Sequence, residues 1–243
     1  MKLMKYISTI LILILIITGC SEFNVKELTH ESLPILNDIA QKNIQKGNFK
    51  TAIKYLEIIK NIDLIGSYTK QAQLDLIYVY YKKKDFNEAR DLVNNFINLY
   101  PKHPNIDYVI YMKGLIEMSL DNPVIMKVLY YNRFSHDPEH AYNAFNYFLQ
   151  LLKKYPKSEY VHDAYLRLIY LKNRLANYEL SIASFYDKKE AYVAVITRIN
   201  NMLIYYPDTK ATLNALPLME KAYRKLQINN EADKISKIIS LNH

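Results

Sequence analysis

The chain has 243 residues, 50% of them hydrophobic and 23% charged, with 32 Lys and Arg against 24 Asp and Glu for a formal charge of +8. So much apolar content excludes a disordered chain, and a single cysteine excludes an intrachain disulfide or a cysteine-rich zinc site. Four glycines are too few for the tight turns of an all-β fold, and the longest basic run, Lys82-Lys83-Lys84, reads as a solvated helix end rather than a nucleic-acid footprint.

Residues 1–19 read as an export signal. Lys2 and Lys5 form a basic start, and Ile10 to Ile17 is an unbroken apolar run too short to span a bilayer stably. The run ends in Ile17-Thr18-Gly19-Cys20, which resembles the lipobox of bacterial lipoproteins. That resemblance implies cleavage before Cys20 and acylation of its thiol and amino groups, giving an S-diacylglycerol and an N-acyl chain. Several acyl chains make a stable anchor, because each buried methylene contributes about 0.8 kcal/mol. Ser21, rather than Asp, follows the cysteine, which by the same resemblance implies sorting to the outer membrane. Residues 1–19 carry two lysines and no acid, so their removal lowers the formal charge from +8 to +6. Residues 20–31 are polar and read as an acylated tether.

From Ser32 onward the pattern is helical. Ala89 to Pro101 places small and apolar residues at Ala89, Val93, Phe96, Ile97 and Tyr100, one face of a helix that the proline ends. The design returns from Ala144 to Pro156 and from Val195 to Pro207, each closing on Tyr-Pro, and more weakly from Ala52 to Leu64. A short amphipathic unit repeated in this way cannot bury its face alone, so the pattern predicts a solenoid of stacked helix pairs. The predicted pairs are 33–46 with 49–60, 68–83 with 86–100, 104–119 with 138–155, 158–176 with 190–206, and 210–226 with 229–240. Gly47-Asn48 and Lys84-Asp85 are tight turns within pairs, each followed by an aromatic wedge, Phe49 or Phe86. Residues 120–137 interrupt the repeat and read as an insertion loop between N-terminal repeats, 32–119, and C-terminal repeats, 138–243. Residues 177–188 read as a helical extension beyond a normal pair, and Pro217 is expected to kink or restart its helix.

The units resemble tetratricopeptide repeats. The runs QAQLDLIYVYYK (71–82), KHPNIDYVIYMKGL (102–115), RLANYEL (174–180), AYVAVITRINNMLIYYPDT (191–209) and ALPLMEKAY (215–223) resemble, in order and over nearly the whole chain, the BamD family of the β-barrel assembly machinery. The resemblance implies an all-α, right-handed solenoid of about five helix pairs, lipid-anchored at the periplasmic face of the outer membrane and without catalysis. It implies a scaffold that helps receive unfolded outer-membrane proteins and pass them to the barrel subunit BamA. The N-terminal repeats are expected to hold C-terminal segments of those clients. The C-terminal repeats are expected to dock a POTRA domain of BamA and, where present, the accessory lipoproteins BamC and BamE.

Two residues carry over to the docking surface. Arg198 matches the family arginine that pairs with an acidic POTRA residue, and its planar fork suits a carboxylate. Lys189 keeps a positive charge where the family often has Arg-Gly, although Glu190 stands beside it. From the residues themselves, Ala72, Leu76, Val79 and Tyr80 form an inward stripe. Tyr68, Tyr78 and Tyr81 remain as candidates to line a groove for an extended peptide, with packing between repeats as their other reading.

No cofactor is expected beyond the lipid on Cys20. His136 and His140 have the spacing of two metal ligands, but Pro138 lies between them, so they read as exposed loop histidines. His-Glu-x-x-His, Gly-x-Gly-x-x-Gly, Walker and Gly-x-Ser-x-Gly motifs are all absent, and His162-Asp163 has no nucleophile to complete a triad. The alternative reading is another periplasmic repeat lipoprotein, acting as a scaffold in peptidoglycan or cell-division assemblies.

Overall fold

The computed structural model describes residues 32–62, 66–121 and 137–242. The signal peptide, Cys20, the tether and most of the 120–137 insertion, including His136, lie outside the described residues. Those described form ten helices. They are α1 (Leu33–Gln45), α2 (Phe49–Ile62), α3 (Ser67–Lys82), α4 (Phe86–Leu99), α5 (Ile106–Leu120), α6 (Glu139–Lys154), α7 (Val161–Lys188), α8 (Tyr192–Tyr205), α9 (Lys210–Lys225) and α10 (Asn229–Leu241). Every helix packs on the next in sequence, and α1 also touches α3, α3 touches α5, and α7 touches α9. This neighbour-only packing is the five-pair repeat that the periodicity predicts.

The repeated face is the core. Ala52-Leu56-Ile59, Ala89-Val93-Phe96, Ala144-Phe148-Leu151 and Val195-Ile199-Met202 occupy equivalent positions in α2, α4, α6 and α8, and all twelve side chains are fully buried. From the second pair on, the first helix of each pair is buried more broadly. In α3, Ala72, Leu76 and Val79 join a cluster with α1 and α2, while Leu74 and Ile77 join the larger cluster that runs on through α10. That larger core continues across the insertion, because α5 packs directly on α6. Gly114 permits this approach. A Cβ there would sit 2.5–2.9 Å from three ring atoms of Phe148.

Two kinds of turn alternate. Within pairs, Gly47, Lys84, Glu190 and Gln227 each adopt a left-handed backbone, with φ of 73°, 66°, 57° and 60°. Each N–H donates three residues back, to Ile44, Tyr81, Asp187 and Arg224, and the following N–H donates five back, to Asn43, Tyr80, Tyr186 and Tyr223. This is the Schellman closure, normally built with glycine. Between pairs, Tyr100, Tyr155 and Tyr206 end their helices by leaving the helical region, with φ of −130° to −135° and ψ of 40° to 57°, ahead of a proline. Their carbonyls accept from the N–H of His103, Ser158 and Thr209, which turns the chain into the next pair. The aromatic wedges hold as predicted: Phe49 and Phe86 are half-buried against the two clusters.

The helical extension expected over 177–188 is present, continuing α7 as one unbroken helix of 28 residues. Two expectations change. Pro217 does not restart its helix, since α9 runs through it. Its missing N–H would have reached the carbonyl of Leu213, so the helix runs on with one hydrogen bond fewer. His140 is no loop residue. It lies in the first turn of α6, where its Nδ1 sits 2.7 Å from the buried carboxylate of Glu117.

Two substitutions should move stability in opposite directions. Gly114→Ala overpacks the α5–α6 contact and should cost about 1–3 kcal/mol, read as a lower urea midpoint that Phe148→Leu partly restores. Gln227→Gly removes a left-handed strain of about 1–2 kcal/mol at a backbone-entropy cost of about 0.5–1 kcal/mol. Its urea midpoint should therefore rise, and an unchanged or lower midpoint refutes the strain.

Candidate protein-binding surfaces

The first helices α1, α3, α5 and α7 share one surface, joined by polar contacts. Asp75 on α3 accepts from Gln41 Nε2 of α1 at 2.6 Å and from Gln71 Nε2 at 3.0 Å. Asp163 on α7 accepts from the Tyr111 hydroxyl of α5 at 2.6 Å and pairs with Arg167 one turn on. Between these two carboxylates lies a tyrosine cluster. Tyr160 stacks on Tyr111 at 4.8 Å and meets Tyr108 at 5.7 Å. Burial and the nearby Asp75 push the Tyr108 hydroxyl well above its usual pKa, with Tyr160 and Tyr78 adding to the shift. Burial and the bond to Asp163 push Tyr111 up to about 12. Burial would also raise Asp163, but the hydrogen bonds from Arg167 and Tyr111 outweigh it and hold that carboxylate ionised.

Of the predicted groove residues, the structure brings only Tyr78 to this cluster. It is 36% exposed, with the Lys82 ammonium 5.8 Å above its ring. Tyr68 packs against the N-terminal core, and Tyr81 packs on Phe86 at 5.9 Å, so neither lines a groove beside Tyr78. The reason is helical register: Tyr81 leads into the α3–α4 junction, whereas Asp75 and Tyr78 face the tyrosines of α5. Tyr108, Tyr111 and Tyr160 carried no sequence signal beyond the spacing of the first two, because they meet only where Tyr160, at the start of α7, lies against α5. Alongside the cluster, α7 exposes Tyr165, Leu166, Ile169 and Tyr170 at 40–54%. Rings with polar tips beside exposed aliphatic side chains suit an extended peptide carrying apolar residues.

The second surface surrounds Arg198. Its Nη1 donates to Glu179 Oε2 at 3.0 Å, joining α8 to the long α7. Burial opposes the guanidinium charge, but the Glu179 bond more than offsets it, with Tyr186 adding, so the arginine stays firmly protonated. Arg198 borders an open depression of about 640 Å³ that Tyr186, Glu190, Tyr192, Val193 and Thr197 also line. Lys189 does not line it; its ammonium lies 6.0 Å from the Phe185 ring, and Glu190 takes the place at the rim. Arg198 is the single charged residue of α8, where α2 has Lys50, Lys54, Glu57 and Lys60. Val193 and Ile204 are two-thirds exposed on the same helix. Exposed apolar residues around one arginine, with other charges depleted, is the composition of a protein interface.

Residues 35–238 match the model of the YfiO family, described as outer membrane lipoprotein. The chain belongs to this family. It is similar along its whole length to the outer membrane protein assembly factor BamD of Pasteurella multocida, with 37% identity over 100% of this chain and 92% of the relative. It is 44% identical to that of Buchnera aphidicola over 85% of each chain, and 38% identical to that of Vibrio cholerae over 84% of each. Within this YfiO chain, groups of His, Cys, Asp and Glu able to hold a metal are absent among the described residues. No described helix is long and apolar enough to cross a membrane.

The first surface yields a pH prediction. Burial lifts Asp75 above its ordinary 3.8, against the hydrogen bonds from Gln71 and Gln41. A carboxyl with a raised folded-state pKa destabilises the fold once pH exceeds its unfolded value. Asp75→Asn removes that charge, and either glutamine can flip its amide to meet the new group. Its melting midpoint should exceed the wild type at pH 7, with the two curves converging as pH falls toward 3.8. A lower midpoint at pH 7 refutes the argument.

Proposed function

We propose that this chain is a non-enzymatic scaffold in outer-membrane protein assembly. The observation that carries the reading is full-length similarity to relatives named outer membrane protein assembly factor, at 37% identity over 100% of the chain. In this reading, acyl chains on Cys20 hold the protein to the outer membrane with its helices in the periplasm. Arg198 and the depression beside it dock an acidic surface on the POTRA domain of BamA, and BamC and BamE are further partners where present. The tyrosine-lined surface of α3, α5 and α7 receives C-terminal segments of unfolded outer-membrane proteins. The geometry supports this division of labour. One surface presents a protonated arginine on a helix with no other charged residue, and the other presents aromatic rings with hydrogen-bonding tips.

The test is a mild-detergent affinity purification of the full-length protein from its native outer membrane. Mass spectrometry should find a POTRA-containing barrel in stoichiometric amount and acyl chains on an N-terminal Cys20. Arg198→Glu should lose the barrel while keeping a native circular-dichroism spectrum. Retention of the barrel by that variant removes Arg198 from the docking surface, and recovery of peptidoglycan-linked proteins without the barrel overturns the reading.

A further inference from the structure

Glu179 has no role in the resemblance that singles out Arg198, yet it is the group that holds it. Its side chain is 10% exposed, against 39% for Arg198. It lies on the part of α7 that runs on past the pair, residues 177–188, and that extension carries two acids aimed at the helices that follow. Glu179 takes Arg198 of α8 at 3.0 Å, and Asp187 takes Lys221 of α9 at 2.8 Å. The lengthening of α7 thus places a nearly buried carboxylate behind a half-exposed guanidinium.

A free arginine samples many rotamers and loses that freedom when a partner fixes it. Here Glu179 engages Nη1 from inside the fold, and Tyr186 adds a further polar contact. A guanidinium has five N–H donors in a rigid fork, so the edge away from Glu179 stays open to a second acceptor. The depression beside it is lined by the uncharged Val193, Ala194 and Thr197, with Glu190 as the one acid of the rim.

We propose that Glu179 is the positioning residue of this docking site: it fixes the Arg198 guanidinium so that its outer edge meets a carboxylate on the partner protein. The inference rests on the docking reading above and adds the residue that makes the arginine ready. Glu179 also brings a negative charge near the incoming carboxylate, which opposes binding. Gln at 179 separates the two effects, because it keeps an acceptor oxygen for Nη1 and removes the charge.

The experiment uses full-length chains purified from outer membranes in mild detergent, with the barrel partner retained at increasing salt as the readout and melting curves as the check on folding. Arg198→Ala and Glu179→Ala should each lower the retained barrel about tenfold. Glu179→Gln should retain it at the wild-type level or better. The double variant Glu179→Ala with Arg198→Ala should bind no worse than Arg198→Ala alone. Full retention by Arg198→Ala defeats the docking reading itself. Loss with Arg198→Ala but wild-type retention with Glu179→Ala leaves docking standing and overturns the positioning role. A double variant weaker than Arg198→Ala also overturns it, since Glu179 would then act through the fold and not through the arginine.

Discussion

A single amphipathic helix pair leaves its apolar face in water, so each pair must be covered by the next. That constraint shapes the whole molecule. The second helices bury one narrow stripe, such as Ala89-Val93-Phe96, while α3, α5, α7 and α9 bury a broader part of their surface. Helix α3 gives Leu76 and Val79 to one core and Leu74 and Ile77 to the other, which ties the first pair to the remaining four. Close approach then limits side-chain size, as at Gly114 against Phe148.

Direction is set at the turns. Four of the five pairs close through a left-handed residue, and three open into the next through Tyr-Pro, so at these turns the chain reverses by two different mechanisms. Only one of the four left-handed positions is glycine. Lys84, Glu190 and Gln227 hold that backbone because two hydrogen bonds and the packed helices on either side over-determine it. At Glu190 the turn also forms the rim of the depression beside Arg198, so the chain geometry that closes the fourth pair shapes that candidate surface.

The two candidate surfaces use charge differently. Between the first helices, carboxylates act as joints: Asp75 ties α1 to α3, and Asp163 ties α5 to α7. These bonds hold the tyrosine rings in place and leave the apolar side chains of α7 exposed. Around Arg198 the carboxylate lies behind the cation, and the exposed part of α8 bears no other charge.

Much of this was legible in the sequence. Spacing of apolar residues located all ten described helices, because burial of one face imposes its period on the chain. The Tyr-Pro ends and the Phe49 and Phe86 wedges were equally local. The sequence motifs also singled out Arg198, although the hydrogen bond that holds it was invisible, since Glu179 comes from another helix nineteen positions away. The tyrosine surface was legible only in Tyr78. Tyr108 and Tyr160 meet because the fold brings the start of α7 beside α5, and Tyr81 leaves the surface because its side chain turns into the α3–α4 junction. Periodicity is a property of one helix and is written along the chain. Which side chains converge across helices depends on their register against one another, and only the packed solenoid decides that.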